Sequence, residues 1–283
     1  MKVLANDGIS KSGILALEKG GFEVITTKVA QEQVANYVNE NNVSVVLVRS
    51  ATKVRKDIID SCPGLKIIGR GGVGMDNIDV DYAKSKGISV INTPASSSQS
   101  VAELVMGHLF SMSRFLNDSY KNMEHGDFAT LTKNYAKGIE LRGKTLGIIG
   151  FGRIGKALAS YALGAGMEVI AIDKKTEPCE ICIPIGKDQS VNYTITPTAS
   201  LNNVLGSIDF ISIHVPKQGD GSAVISAKEF ALMKKGVRIV NAARGGVVNE
   251  LDLLEALDHG NVAGIALDVF ENEPHPNPAL LNN

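Results

Sequence analysis

The sequence predicts an α/β protein made of two doubly wound parallel sheets, one in each half of the chain, with a cleft between them. Short Val- and Ile-rich runs recur along it, separated by amphipathic stretches long enough for helices, the pattern of strand-helix-strand units. The alternation is interrupted once, by a long helical stretch after residue 97, and then restarts. A length of 283 residues suits two mid-sized domains, each large enough to bury its own core. The expected boundaries are 1–97 for the first domain, completed by a C-terminal tail, and 98–283 for the second, entered through a long connecting helix.

Taken in order, the first half predicts strands at 3–5, 23–25, 45–48, 66–68 and 89–91, with helices in the gaps. From residue 98 to about 121 a single connecting helix is expected. It contains Val101-Ala102-Glu103-Leu104-Val105-Met106, with Ser98 or Ser100 as its N-cap. The second half predicts strands at 145–149, 168–172, 210–213, 237–240 and 262–267. The segment 176–200, with its prolines and its Thr- and Asn-rich stretch, shows little periodicity and reads as a surface excursion without chemistry.

Composition removes several function classes. Lys plus Arg (29) nearly equals Asp plus Glu (30), so no broad positive field serves nucleic acid or anionic lipid. An anionic ligand must therefore be held by a few local cations. No run approaches the roughly 18 to 20 apolar residues of a membrane span, and the first seven residues turn polar too early for a secretory signal, so a cytoplasmic protein is expected. Three cysteines do not suit a disulfide framework. The pair Cys179 and Cys182 lacks the second pair of a zinc site and reads as coincidence in a loop, with no metal expected.

The chemistry concentrates where strands end. Gly150-Phe151-Gly152-Arg153-Ile154-Gly155 follows the strand at 145–149 and opens a helix. Gly150 permits the tight turn, Gly152 lets backbone approach a pyrophosphate, and Gly155 lets helix and strand pack closely. The helix N-terminus adds unpaired N–H groups and a positive dipole end. Asp173 stands just past the next strand, where a carboxylate accepts hydrogen bonds from the ribose of NAD and repels the extra phosphate of NADP. NAD is the expected cofactor, although Lys174 and Lys175 could partly neutralise that phosphate.

Ligands of open parallel sheets bind beyond the carboxyl ends of the strands. His214 and Pro216 fall there in the second half, with Asn241 and Arg244, and then Asp268, Glu271 and Glu273. Arg244 is flanked by Ala243, Gly245 and Gly246, so a substrate can lie against its guanidinium, a planar fork suited to a carboxylate. His214, beside a proline at a strand end, reads as a scaffold residue before a catalyst. In the first half Arg49, Ser50 and Lys53, then Arg70 with Gly71, Gly72 and Gly74, occupy corresponding edges. Cations beside glycine-exposed amides suggest a receptor for a dianion such as a phosphate. The competing reading pairs them with Asp57, Asp76 or Asp79.

These residues sit in motifs that run the whole length: V-R-S-A-T-K-V (48–54), G-R-G-G-V-G-M-D-N-I-D (69–79), N-T-P (92–94), S-V-A-E-L (100–104), G-K-T-L-G-I-I-G-F-G-R-I-G (143–155), H-V-P (214–216), N-A-A-R-G-G-V-V-N-E (241–250) and A-L-D-V-F-E-N-E-P (266–274). With them the chain resembles the D-isomer-specific 2-hydroxyacid dehydrogenases, which share the Rossmann-like doubly wound fold; the resemblance implies a substrate-binding domain at 1–97 and an NAD-binding Rossmann domain at 98–283. The resemblance implies that Arg244 binds the substrate carboxylate and C2 oxygen and that Glu273 pairs with a catalytic histidine and raises its pKa. It implies Asp268 and Ala242 near the nicotinamide and Val215, between His214 and Pro216, on the adenosine side. Arg49, Lys53 and Arg70 would hold the substrate's phosphate and carboxylate, with Ser50, Gly72, Val73 and Gly74 in the same loops.

The first two motifs point to the branch that oxidises D-3-phosphoglycerate to 3-phosphohydroxypyruvate, the first step of serine synthesis. The alternatives are a glyoxylate or hydroxypyruvate reductase and an NAD-sensing transcriptional corepressor of the same fold. The family's histidine lies in a Pro-His-x-Gly setting shortly after the Glu-Pro element; no residue up to Asn283 fits, His275 being too close to Glu273. It is expected beyond Asn283. A homodimer built on the helix near 98–121 is expected, without an appended regulatory module.

Overall fold

The structure is a computed structural model that describes residues 1–281. The chain divides into two compact units, Met1–Ser97 and the remainder from Ser98 onward.

In chain order, unit one contains β1 (Lys2–Ala5), α1 (Lys11–Lys19), β2 (Glu23–Ile25), α2 (Val34–Glu40), β3 (Val43–Val48), α3 (Lys56–Ser61), β4 (Ile67–Arg70), α4 (Val80–Ser85) and β5 (Ser89–Asn92). The sheet order is β2-β1-β3-β4-β5, all parallel. β1 and β3 carry near-continuous burial because helices cover both faces, which is why apolar runs without alternation marked them in the sequence. Leu4, Val46 and Ile68 pack with Val34, Val38 and Ile58 of the helices in one core. β4 extends to Arg70, so that side chain is the last of its strand and not one beyond it.

Unit two begins with α5 (Ser98–Arg114), α6 (Leu116–Asn122) and α7 (Phe128–Tyr135). The single helix expected over 98–121 is therefore two. Phe115 adopts a left-handed conformation (φ 56°), breaking the helix with a residue that carries no sequence signal for a stop. Nor does Ser98 cap α5: it lies inside the helix, buried, and its hydroxyl has no partner among the described residues.

Then follow β6 (Thr145–Ile149), α8 (Arg153–Gly164), β7 (Glu168–Ile172), β8 (Cys179–Ile185), β9 (Gln189–Ile195), α9 (Leu201–Val204), β10 (Phe210–Ile213), α10 (Ala227–Leu232), β11 (Val237–Asn241), α11 (Glu250–Asp258), β12 (Val262–Leu267) and α12 (Pro278–Leu281). The main sheet is β12-β11-β10-β6-β7, parallel throughout. Its strand order reverses between β6 and β10, so the loops after these two strands flank the crevice where such sheets bind ligands.

The excursion at 176–200 is an antiparallel hairpin, β8 paired with β9 from Cys179↔Ile195 to Ile185↔Gln189. Both strands alternate, with Ile181, Ile183 and Ile185 on β8 and Val191, Tyr193 and Ile195 on β9, but Pro178, Pro184 and Pro197 and the polar residues between them give the segment the composition of a loop. Ile181 and Ile195 anchor the hairpin in the core with Leu158 and Ala162 of α8. Cys179 and Cys182 thus lie on a strand and not in a loop, and both are free thiols.

Candidate active site

The glycine turn is fixed from both sides by main chain. Gly150 N–H donates to Ile172 O (2.8 Å) and His214 N–H to Ile149 O (2.7 Å). Gly150 takes φ +93°, and a Cβ there would come within 2.7 Å of the His214 carbonyl oxygen. A Cβ at Gly155 would overlap the Gly150 carbonyl, whereas one at Gly152 would meet nothing within 4 Å. The first and last glycines therefore serve the fold, and the middle one keeps a space open. Gly152 is also the N-cap of α8 and supplies no side-chain acceptor, so the first-turn N–H groups at Arg153 and Ile154 stay available to an anion. A cradle that a Cβ would fill, ending at a helix N-terminus, fits the pyrophosphate of a dinucleotide.

Asp173 braces this turn. Its carboxylate accepts from Phe151 N–H (2.7 Å) and Lys175 N–H (3.0 Å). Burial pushes its pKa up, but the N–H groups of Lys175, Phe151 and Lys174 outweigh that and hold it below the usual carboxylate range. Asp173, Gly152, Arg153 and Lys175 line a cavity of about 550 Å³ closed on one side by Pro178 and Cys179 at the hairpin root. The hairpin, read from sequence as free of chemistry, is thus a wall of this cavity.

After β10, His214 is held by a hydrogen bond between Nε2 and Ser212 Oγ (2.8 Å), while Nδ1 is buried without a partner among the described residues. Burial lowers its pKa to about 4, so the imidazole is neutral at physiological pH and part of the scaffold. Val215 packs on the glycine turn, its Cγ1 within 2.8 Å of where a Gly150 Cβ would stand, and Pro216 is exposed beyond it.

Asn241, the last residue of β11, clamps the next turn: Oδ1 accepts from Ala243 N–H (3.1 Å) and Nδ2 donates to Arg244 O (3.0 Å). Ala242 and Arg244 are half-buried, and Arg244 Nη1 donates to Ala243 O (2.6 Å). Gly245 admits no side chain because the Phe270 carbonyl occupies that position. The Arg244 turn is therefore packed against the segment bearing the acids. Glu250 N–H donates to Glu271 Oε1 (3.0 Å) and Glu271 N–H to Glu250 Oε1 (2.7 Å), a reciprocal pair tying that segment to α11. Asp268 N–H donates to Asn241 O (3.0 Å), leaving its carboxylate exposed. Glu273 Oε1 accepts from Phe270 N–H (2.9 Å) on an exposed turn.

In unit one, a cavity of about 550 Å³ opens at the carboxyl ends of β1, β3, β4 and β5, and Arg49 and Arg70 both line it with Asp7, Asn92 and Thr93. Arg70 also donates through Nη1 to Gly74 O and lies 3.9 Å from Asp76, so it braces the glycine loop containing Gly72 and Val73 as well as facing the cavity. Ser50, Lys53, Gly72, Val73 and Gly74 are not on the cavity wall. Lys53 is exposed, its main chain held by Gln31 (2.8 and 2.9 Å). Of the alternative pairings, that of Arg70 with Asp76 is present (3.9 Å), whereas Asp79 engages Arg55 (2.9 Å). Asp7 and Asn77, which tie down the Arg49 loop, gave no sequence signal because their partners lie 25 to 45 residues away.

Among the described residues no group of His, Cys, Asp or Glu is arranged to hold a metal ion, and no helix is long and apolar enough to cross a membrane.

Unit two thus has the sheet, turn and acid of a dinucleotide-binding domain. Residues 106–283 match the profile of the D-isomer specific 2-hydroxyacid dehydrogenase NAD binding domain. The chain belongs to that family, whose members are NAD-dependent oxidoreductases. It is 38% identical over 281 residues to D-3-phosphoglycerate dehydrogenase of Methanocaldococcus jannaschii, covering 99% of this chain and 51% of that one. It is 40% identical over 274 residues to hydroxypyruvate reductase of Thermotoga maritima, covering 96% and 84%. Among solved structures, a glyoxylate reductase from Paecilomyes thermophila superposes with a TM-score of 0.80 at 25% identity, covering 100% and 85%. The chain spans about half the length of the phosphoglycerate dehydrogenases it matches.

Proposed function

We propose that the protein oxidises D-3-phosphoglycerate to 3-phosphohydroxypyruvate with NAD. The observation that carries this reading is the pair Arg49 and Arg70 on one cavity wall at the carboxyl edge of the first sheet, where two guanidinium groups match a phosphate dianion. The relatives of that name, matched along the whole of this chain, support it. Arg244 would grip the substrate carboxylate and orient C2, its turn held by Asn241 and by the close approach of Gly245 to Phe270. Bound NAD supplies the hydride acceptor. The glycine turn, Arg153 and Ile154 would hold its pyrophosphate, Asp173 and Val215 its adenosine side, and Ala242 and Asp268 its nicotinamide end. Glu273 is assigned to support of the proton acceptor; His214, half-buried, bonded to Ser212 and neutral, does not fill that role.

A second reading, reduction of unphosphorylated hydroxypyruvate or glyoxylate, is favoured by the 40% identity to hydroxypyruvate reductase over most of that protein. Turnover over a panel of phosphorylated and unphosphorylated 2-hydroxy and 2-keto acids separates the two. A preference for the phosphorylated acid that is lost in Arg49→Ala supports the first; equal rates on both classes overturn it. We further assign a homodimer, since Leu104, Phe110, Leu116 and Tyr120 of α5 and α6 expose apolar surface. Light scattering of the purified protein tests that assignment, and a monomer mass would refute it.

A further inference from the structure

We propose that Asp7, on the loop after β1, is the positioning residue that sets Arg49 for an anionic substrate group; the proposal rests on the reading of Arg49 given above. The Asp7 carboxylate sits inside the loop 49–52 and not beside it. Oδ2 accepts from the N–H of Arg49 (2.6 Å) and of Thr52 (3.0 Å), and Oδ1 from the Thr52 hydroxyl (2.6 Å). Main-chain N–H groups of one loop turned towards one centre form a concave anion receptor, and here the anion is internal. Hydrogen bonds from Thr52, Arg49 and Ala51 overcome the burial that works to raise its pKa and keep the group charged.

The loop is held equally from the opposite side. Asn77 Nδ2 donates to Arg49 O (2.9 Å) and Thr52 O (2.6 Å), and Asn6 Nδ2 donates to Thr52 Oγ1 (2.8 Å). Arg49 is thus fixed at both its N–H and its carbonyl, while its side chain and the Asp7 loop line the same cavity. An incoming anion does not compete for these amides, since Asp7 already satisfies them. The guanidinium is what remains to meet it. Without Asp7, the Arg49 and Thr52 amides lose their acceptor and the arginine loses its fixed root.

The test is a double-mutant cycle in the full-length protein with Asp7→Ala, Asp7→Asn, Arg49→Ala and Asp7→Ala/Arg49→Ala, each checked for folding by thermal unfolding. KM and kcat are measured on phosphorylated and unphosphorylated 2-hydroxy acids. Asp7→Ala is expected to raise KM for the phosphorylated acid about tenfold with kcat little changed and the unphosphorylated acid unaffected. Asp7→Asn, which keeps an acceptor for the amides, should fall between, and it carries the test if the alanine variant does not fold. The double variant should be no worse than Arg49→Ala. Additive effects, or a normal KM in either folded Asp7 variant while Arg49→Ala is impaired, overturn the proposal. A normal KM in Arg49→Ala overturns instead the assignment of Arg49.

Discussion

Arg244 and His214 end adjacent strands of one sheet, yet their surroundings prepare them for opposite uses. Arg244 stands on a turn whose main chain is clamped by Asn241, and its Nη1 donates to Ala243 O, so the root of its side chain is fixed by the chain itself. Arg244→Ala should reduce kcat/KM by about 100-fold or more while leaving NAD affinity near normal. Steady-state kinetics and NAD titration check both halves of that expectation. His214 is desolvated, and its pKa of about 4 lies below the ordinary value of 6.5, so the folded state binds fewer protons than the unfolded state between these values. Its effect on stability is absent above about pH 6.5 and destabilises increasingly as pH falls towards 4, to about 3 kcal/mol. Denaturant unfolding at pH 7 and pH 4.5 should show His214→Gln losing less stability than the wild type over that interval. The sequence identified both residues by their place after a strand. It did not reveal that Glu250 holds the acid-bearing segment, because its partner Glu271 lies 21 residues away and is chosen by tertiary contact.

At the scale of elements, the turn between β6 and α8 separates glycines that packing requires, Gly150 and Gly155, from Gly152, whose Cβ position is open space and which the proposed function assigns to the cofactor. Gly155→Ala drives a methyl into the Gly150 carbonyl and should lower the unfolding midpoint by several degrees. Gly152→Ala has open space, so the midpoint should stay close to wild type while the NAD dissociation constant rises about tenfold or more. Calorimetry with nucleotide titration on the two variants tests the separation. The parallel strands were legible because both faces are buried and the sequence becomes a largely apolar, Val-rich run, as in β3. The hairpin carries a strand signal, Val191, Tyr193 and Ile195 alternating along β9, but Pro178, Pro184 and Pro197 and the Thr and Asn content around it are turn signals that outweigh it. The helix break at Phe115 has no sequence signal because left-handed turns are ordinarily announced by Gly or Asn.

Across the whole molecule, a net charge of −1 leaves recognition of anions to a few fixed cations and to helix and loop amides. Unit two carries the nucleotide cradle, so NAD at about 100 times its dissociation constant should stabilise it by about 2.7 kcal/mol. For a unit of this size that is a rise of roughly 5 to 10 °C in the unfolding midpoint. NADP at the same concentration should give a smaller rise, because Asp173 remains charged. Equal shifts would show that Lys174 and Lys175 neutralise the extra phosphate. The hairpin that forms one wall of that cradle also provides a spectroscopic handle. Of the three thiols, Cys62 is buried with its pKa raised by burial, Cys179 is half-buried, and Cys182 is exposed, three residues along β8 from the cavity wall. A maleimide dye should therefore attach at Cys182 of the unmodified protein, converting nucleotide occupancy into a fluorescence change without any engineered cysteine.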